Sequence, residues 1–211
     1  MAFALALAAC SASDGGGTAS TGPSPAAGSS SDELTATPPS TTALTPTTTT
    51  TTTTPAASGL NGALFLTSLG RLQIGQTYGE AEAATGLQVV TDDRVAGPEC
   101  VYGSLVGAPD GVSFLGSDGI VVRINVHRPS DIRTRSGIGI GSTESSVLTA
   151  YPGQITSEQH AYVQGGKYLE YTPQDPSLAD YRLVFETNEQ ATVTGMRTGR
   201  LPEARYIEGC L

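Results

Sequence analysis

The chain has no tryptophan, two histidines and three cysteines in 211 residues. His127 and His160 lie far apart, and neither has a second His or a Cys at metal-ligand spacing, so no metal site is expected. No G-x-S-x-G turn occurs, and Ser113 in "GVSFL" lacks the closing glycine and falls mid-strand, so the motif set of a serine hydrolase is missing. Lysine is nearly absent, with Lys167 beside ten arginines. The net charge of −9 lacks the basic footprint that nucleic-acid affinity rests on, which makes nucleic acid an unlikely partner class. The glycine-rich "SGIGIGST" lacks the lysine and the spacing of a phosphate loop. No residue pattern calls for a cofactor.

What is present divides the chain sharply. Residues 1–9, "MAFALALAA", form an apolar run that stops at Cys10, in outline a lipobox: a peptidase cuts before the cysteine, and acyl chains on Cys10 hold the protein to the membrane. No Lys or Arg precedes the run and nine residues are short for a signal, so either the natural start lies upstream or the segment does not act as one. Residues 10–58 are almost entirely Ser, Thr, Gly, Ala and Pro, including eight consecutive threonines from Thr47 to Thr54. Such a composition buries too little apolar surface to offset the entropy of ordering and reads as a disordered stalk. Its coil dimension would be about 40 Å. With Cys10 assigned to lipid, Cys100 and Cys210 remain as an even pair, expected to form a disulfide in an exported chain.

All eight tyrosines lie in the remainder, where a pattern is written twice. "LQIGQTYGEAEAATG" (Leu72 to Gly86) returns as "IGIGSTESSVLTAYPG", which aligns Ile74 with Ile140, Gly75 with Gly141 and Thr77 with Thr143. Each copy reads as an extended segment, a turn at Gly, and a Thr N-cap opening a short helix; Glu80 completes a capping box in the first copy, and Ser146 stands there in the second. Strand-like runs follow each helix: "CVYGSLV", "GVSFLG" and "IVVRINVH", then "KYLEYT", "YRLVFET" and "ATVTGMRT". Ser117-Asp118-Gly119 reads as a tight hairpin turn.

The expected fold class is α+β: two tandem αβββ units, 59–134 and 135–211, with six strands and two short helices packed on antiparallel sheet. In "IVVRINVH" the alternation puts Ile120, Val122, Ile124 and Val126 on the core face, and Val121, Arg123, Asn125 and His127 on a mostly wet one. Asp92-Asp93 and Asp175 with Asp180 read as solvated loop charge. "HAYVQGGKYLEY" gathers three tyrosines around a Gly-Gly turn, a composition suited to protein contact. Candidate partner-binding residues are therefore Arg123, Asn125, His127, Tyr162, Lys167 and Tyr168.

The repeated apolar-x-Ile-Gly-x-Thr opening, the short helix ending in Gly and the strand meander resemble the tandem units of β-lactamase inhibitor protein and the BamE-like lipoproteins. The tail "RYIEGC" resembles that of bacterial envelope lipoproteins of unassigned role. The resemblance implies an envelope location and a binding role. The expectation is thus a lipid-anchored, non-catalytic module on the extracytoplasmic face that binds an envelope or secreted protein. Two alternatives stand beside it: an inhibitor of a secreted hydrolase such as a β-lactamase or peptidase, and an envelope hydrolase with an unrecognised site.

Overall fold

A computed structural model of the chain describes residues 59–92 and 100–209. The lipobox with Cys10, the stalk, Asp93 and Cys210 lie outside the described residues. A small hairpin opens the fold, β1 (Ser68–Leu69) with β2 (Leu72–Gln73). Gly70 turns it at φ 56°, where a Cβ would stand 2.3 Å from the Gly59 carbonyl oxygen.

Helix α1 (Tyr78–Thr85) begins where the threonine cap requires. The Glu80 amide donates to Thr77 Oγ1 at 3.3 Å, and the Glu80 carboxylate accepts from the Thr77 amide at 2.8 Å, which is the expected capping box. Gly86, left-handed at φ 71°, ends the helix. Helix α2 (Glu144–Ala150) repeats the cap, the Ser146 amide donating to Thr143 Oγ1 at 3.2 Å. Helices of eight and seven residues are marginal alone, and packing holds them: Ala81 and Val147 are fully buried.

Eight strands make one antiparallel sheet: β3 (Val89–Asp92), β4 (Val101–Leu105), β5 (Val112–Ser117), β6 (Ile120–His127), β7 (Ile155–Gln159), β8 (Lys167–Tyr171), β9 (Tyr181–Thr187) and β10 (Val193–Arg200). Their order is β3-β4-β5-β6-β10-β9-β8-β7. Fold class α+β fits this architecture, but four strands stand where three were expected in each half: β7 at one edge is polar and exposed beyond Ile155, and β3 at the other is a short Val-Val-Thr-Asp run. The last strand of each half lies at the centre, where β6 pairs with β10.

The duplicated loops are fixed in the same way. The Gly75 amide donates to the Val121 carbonyl and the Val121 amide to the Gln76 carbonyl, at 2.7 and 2.8 Å. The Gly141 amide donates to the Val193 carbonyl and the Val193 amide to the Ser142 carbonyl, both at 2.8 Å. Each Ile-Gly-x-Thr loop thus clamps the start of the last strand of its own half. Positive φ at Gly75 and Gly141 turns both amides inward.

One face of the sheet, with both helices and the leucines of the opening segment, encloses the core around Phe114, Ile124, Phe185 and Met196. Here the simple alternation fails. Val121 is fully buried in this core and Ile120 is exposed, since a bulge between the Gly116–Val121 and Leu115–Arg123 pairs makes Val122 an extra residue.

The other face is covered at Arg123 and Asn125, while His127 at the strand end stays exposed as expected. Arg123 is 6% exposed and Asn125 3%, because the C-terminal tail crosses it. A single 3-10 turn, Glu203–Arg205, packs on β6, β9 and β10. Arg205 closes a bidentate pair on Glu170 of β8 at 2.7 and 2.8 Å, and Arg182 of β9 joins the same carboxylate at 3.0 Å. Burial works to raise the Glu170 pKa, but the Arg205 hydrogen bond and the charges of Arg205 and Arg182 outweigh it and hold the carboxyl below its ordinary value.

Two outcomes follow. A carboxyl whose folded pKa is depressed contributes stability that is present above its unfolded value near 4.5 and lost as pH falls through the folded one. Hydrogen exchange of the tail amides should therefore accelerate as pH drops below about 4.5, after correction for intrinsic rates, and Glu170→Gln should remove that dependence while raising tail exchange at neutral pH. In the core, Tyr78 Oη is buried without a hydrogen-bond partner among the described residues, 1.9 Å from where a Cβ on Gly116 would stand. Tyr78→Phe should leave the melting temperature unchanged or raise it, by up to about 2 kcal/mol of stability; a clear loss in thermal unfolding would show that the hydroxyl is satisfied.

Candidate functional site

The centre of the tail-covered face follows from register. Ser113 of β5 pairs with Asn125 of β6, Asn125 with Arg197 of β10, and Arg197 with Val184 of β9. In the next row His127 pairs with Gly195, Gly195 with Glu186, and Glu186 with Tyr168 of β8. Side chains two apart on a strand share a face, so Arg123, Asn125 and His127 stand beside Arg197 and Glu186. Two glycines of β10 make the room. A Cβ on Gly195 would meet His127 Nδ1 at 3.0 Å, and one on Gly199 would meet Arg123 Cβ at 3.1 Å.

Both arginines hold the tail. Arg123 Nη1 donates to the carbonyls of Glu203 and Tyr206 at 3.0 and 2.7 Å, while its Nε donates to Asn125 Oδ1 at 2.8 Å. Arg197 Nε donates to the Ala204 carbonyl at 2.8 Å, its Nη1 pairs with Glu186, and its guanidinium carbon lies 5.4 Å from the Tyr168 ring centre. Further along, Tyr102 Oη donates to the Glu208 carbonyl at 2.8 Å, and Tyr162 Oη bonds the Glu208 carboxylate.

Between tail and sheet lies a cavity of about 300 Å³, lined by Tyr102, Ser113, Arg123, Asn125, His127, Glu186 and Arg197 and roofed by Ile207 to Gly209. Burial pushes the Arg123 pKa down to about 10, with the Arg197 charge adding to the effect and Glu186 opposing it. His127 keeps exposed surface at the end of β6, yet the partial burial of its ring holds it below the ordinary value of 6.5; Glu186 counteracts this, and Arg123 and Arg197 reinforce it.

Of the six residues expected to bind a partner, the structure brings five together. Arg123, Asn125 and His127 line the cavity, Tyr168 stacks on His160 at 4.4 Å between ring centres, and Tyr162, 65% exposed, reaches the tail. His160 organises this loop by accepting the Tyr162 and Val163 amides on Nδ1 at 3.1 and 3.2 Å. Lys167 belongs elsewhere: its ammonium pairs with Glu144 of α2 at 2.8 Å, since the strand alternation from Tyr168 turns it to the helix side.

Sequence reasoning missed Arg197, Glu186 and Tyr102. The signal for Arg197 was present in "GMRTG", where glycines two positions to either side vacate the face that the arginine occupies. The cavity also gathers Ser113 with His127 and Glu186, the residue types of acyl-transfer chemistry. Ser113 Oγ, however, accepts from the Asn125 amide at 3.4 Å, and among the described residues no hydrogen bond joins it to His127. The arrangement is one of hydrogen-bond donors surrounding a polar space.

No family model matches the chain, and no curated protein does. Among solved structures it is similar to an extracellular protein containing an SCP domain from Bacillus anthracis, with 14% identity and a TM-score of 0.42, over 64% of this chain and 46% of that one. It is also similar to a cysteine-rich secretory protein from Staphylococcus aureus, with 15% identity and a TM-score of 0.36, over 65% of this chain and 48% of the other. The chain therefore spans about half the length of these structures. These matches correct the expected kinship with β-lactamase inhibitor protein and BamE-like lipoproteins. The motif that carried it is a backbone device, a positive-φ glycine followed by a threonine cap, which needs no common ancestry.

Proposed function

We propose that the chain is an extracytoplasmic, non-catalytic binding module, held to the membrane through lipid on Cys10 and spaced from it by the 10–58 stalk, that engages an envelope or secreted protein through its tail-covered face. The observation that carries this reading is the convergence of five candidate residues around one strapped surface whose rim is exposed and aromatic. Tyr162, Tyr206 and Ile207 stand 65%, 39% and 45% exposed there, beside a polar cavity. Amphipathic rings at a rim around buried polar groups suit protein contact, because they give large area at small entropic cost.

The Cys100–Cys210 disulfide belongs to the same reading. Its support is that Cys100 is disulfide-bonded, and that Tyr102, two residues on, holds Glu208, two residues before Cys210. Such a bridge would fasten the far end of the tail. The two halves are read as copies of one unit, supported by the equivalent clamps at Gly75 with Val121 and Gly141 with Val193. The hydrolase alternative keeps one specific observation, Ser113, His127 and Glu186 around one cavity.

Three measurements test these statements. Cys10→Ala is expected to move the protein from the membrane pellet to the soluble fraction and to abolish metabolic labelling with palmitate; an unchanged distribution would remove the anchor. A photo-crosslinker at position 162 or 206 should give a discrete adduct on intact cells, while one at exposed Leu148 on α2 should not. Adducts at 148 alone would relocate the contact surface. A fluorophosphonate probe should leave the protein unlabelled, and labelling abolished by Ser113→Ala would replace the binding reading with the enzyme one.

A further inference from the structure

Arg123 poses an electrostatic problem that the described residues do not close. It is a buried cation whose hydrogen bonds all go to neutral oxygens, those of Asn125, Glu203 and Tyr206. The acids nearby line the same cavity but are bonded to other groups: Glu186 pairs with Arg197 and Glu208 with Tyr162, so Glu186 reaches Arg123 only through its field. Glu203 offers Arg123 its backbone carbonyl, and its carboxylate acts only through its field. Burying a cation without an anion costs several kcal/mol even when its donors are bonded. Nη2 of Arg123 and Nη2 of Arg197 make no hydrogen bond to any described residue, and both side chains line the same cavity. Around them stand Ser113, Asn125 and His127, all able to donate, while the Tyr102 hydroxyl is committed to the Glu208 carbonyl.

The geometry points to this cavity as a binding site for a small carboxylate, its oxygens received by the guanidinium groups of Arg123 and Arg197, with His127 alongside. At about 300 Å³ the space is at the small end of ligand pockets and takes a molecule the size of a dicarboxylate. Nε and Nη1 of both arginines are already committed, so the donors left for a ligand are the Nη2 hydrogens, and a small carboxylate offers one oxygen to each guanidinium. The sheet supplies preorganisation, since Arg123 and Arg197 are already fixed by tail carbonyls and lose little freedom on binding. This deepens the partner-binding reading, in that it names a chemistry for the same face.

The test uses the full chain and succinate, with sodium chloride at equal ionic strength as control. The protein has two histidines, so the imidazole Cε1 proton spectrum contains two signals, and His127→Gln assigns them. Succinate should shift the His127 signal saturably and raise the pH at which it titrates, because an anion beside it favours the imidazolium. Chloride should not, and the His160 signal should stay in place as a marker of the intact fold. Arg123→Gln should weaken succinate at least about tenfold, the loss of a charge-assisted hydrogen bond. Arg123→Lys, which keeps the charge and loses the Nη2 donors, should fall between and serves where the glutamine variant does not fold. No saturable shift in the native chain overturns the proposal, as does unchanged affinity in the folded variants. Phosphate binding as tightly as succinate overturns the carboxylate assignment. A succinate shift without a crosslink from position 162 sustains this site and removes the protein partner; a crosslink without the shift does the reverse.

Discussion

A guanidinium buried on the second face of the sheet sets the terms for the rest of the structure. Arg123 is held among strands whose own carbonyls are committed to ladder hydrogen bonds, so its donors must find acceptors above the sheet. The carbonyls of Glu203 and Tyr206 supply them, which fixes the path of the tail. Arg197 repeats the arrangement one strand away through the Ala204 carbonyl. Once the tail is fixed, Leu115, Val184 and Ala204 become buried outside the main core, and the face acquires a roof. The cavity is what remains between roof and floor.

The topology places this pair of arginines together. With β6 and β10 at the centre, the last strand of each half lies beside the other, and Asn125 is opposite Arg197. Neither half alone contains the site: Arg123, Asn125 and His127 come from the first and Arg197, Glu186 and Tyr168 from the second. The duplicated Ile-Gly-x-Thr loops serve it indirectly, since each anchors the start of the strand that carries an arginine. What looks in sequence like a glycine-rich functional loop is the clamp that sets strand position.

Local chemistry was legible and long-range covering was not. Thr77, Glu80 and Thr143 are readable because a cap involves atoms three residues apart, and the Asp118–Gly119 turn is readable for the same reason. Strands β4, β5, β6, β8, β9 and β10 were visible through their apolar content, whereas β3 and β7 at the edges carry mixed or polar residues. Val121 was misassigned because the bulge at Val122 shifts the alternation by one, and a bulge has no compositional mark of its own. The path of the tail "LPEARYIEG" has no local mark, since it depends in part on Arg123, 80 residues upstream of Glu203. Five of the six candidate residues could nevertheless be picked from strand alternation and tyrosine density, since being on one face and being near one turn are local facts.

A structural role alone is a poor account of Arg123. Replacing a buried ion by apolar residues of similar volume is commonly neutral or stabilising, so a face that needed only to hold its tail would do so with leucine and valine, as Leu115 and Val184 do nearby. The sheet instead accepts two glycines inside its central strand, each a loss of β propensity and of packed side chain. Those glycines face polar neighbours: Gly199 clears Arg123, and Gly195 clears His127 and Glu186. Two stability costs accepted two residues to either side of Arg197, next to groups that line one cavity, are what a binding site requires and what a packing solution avoids.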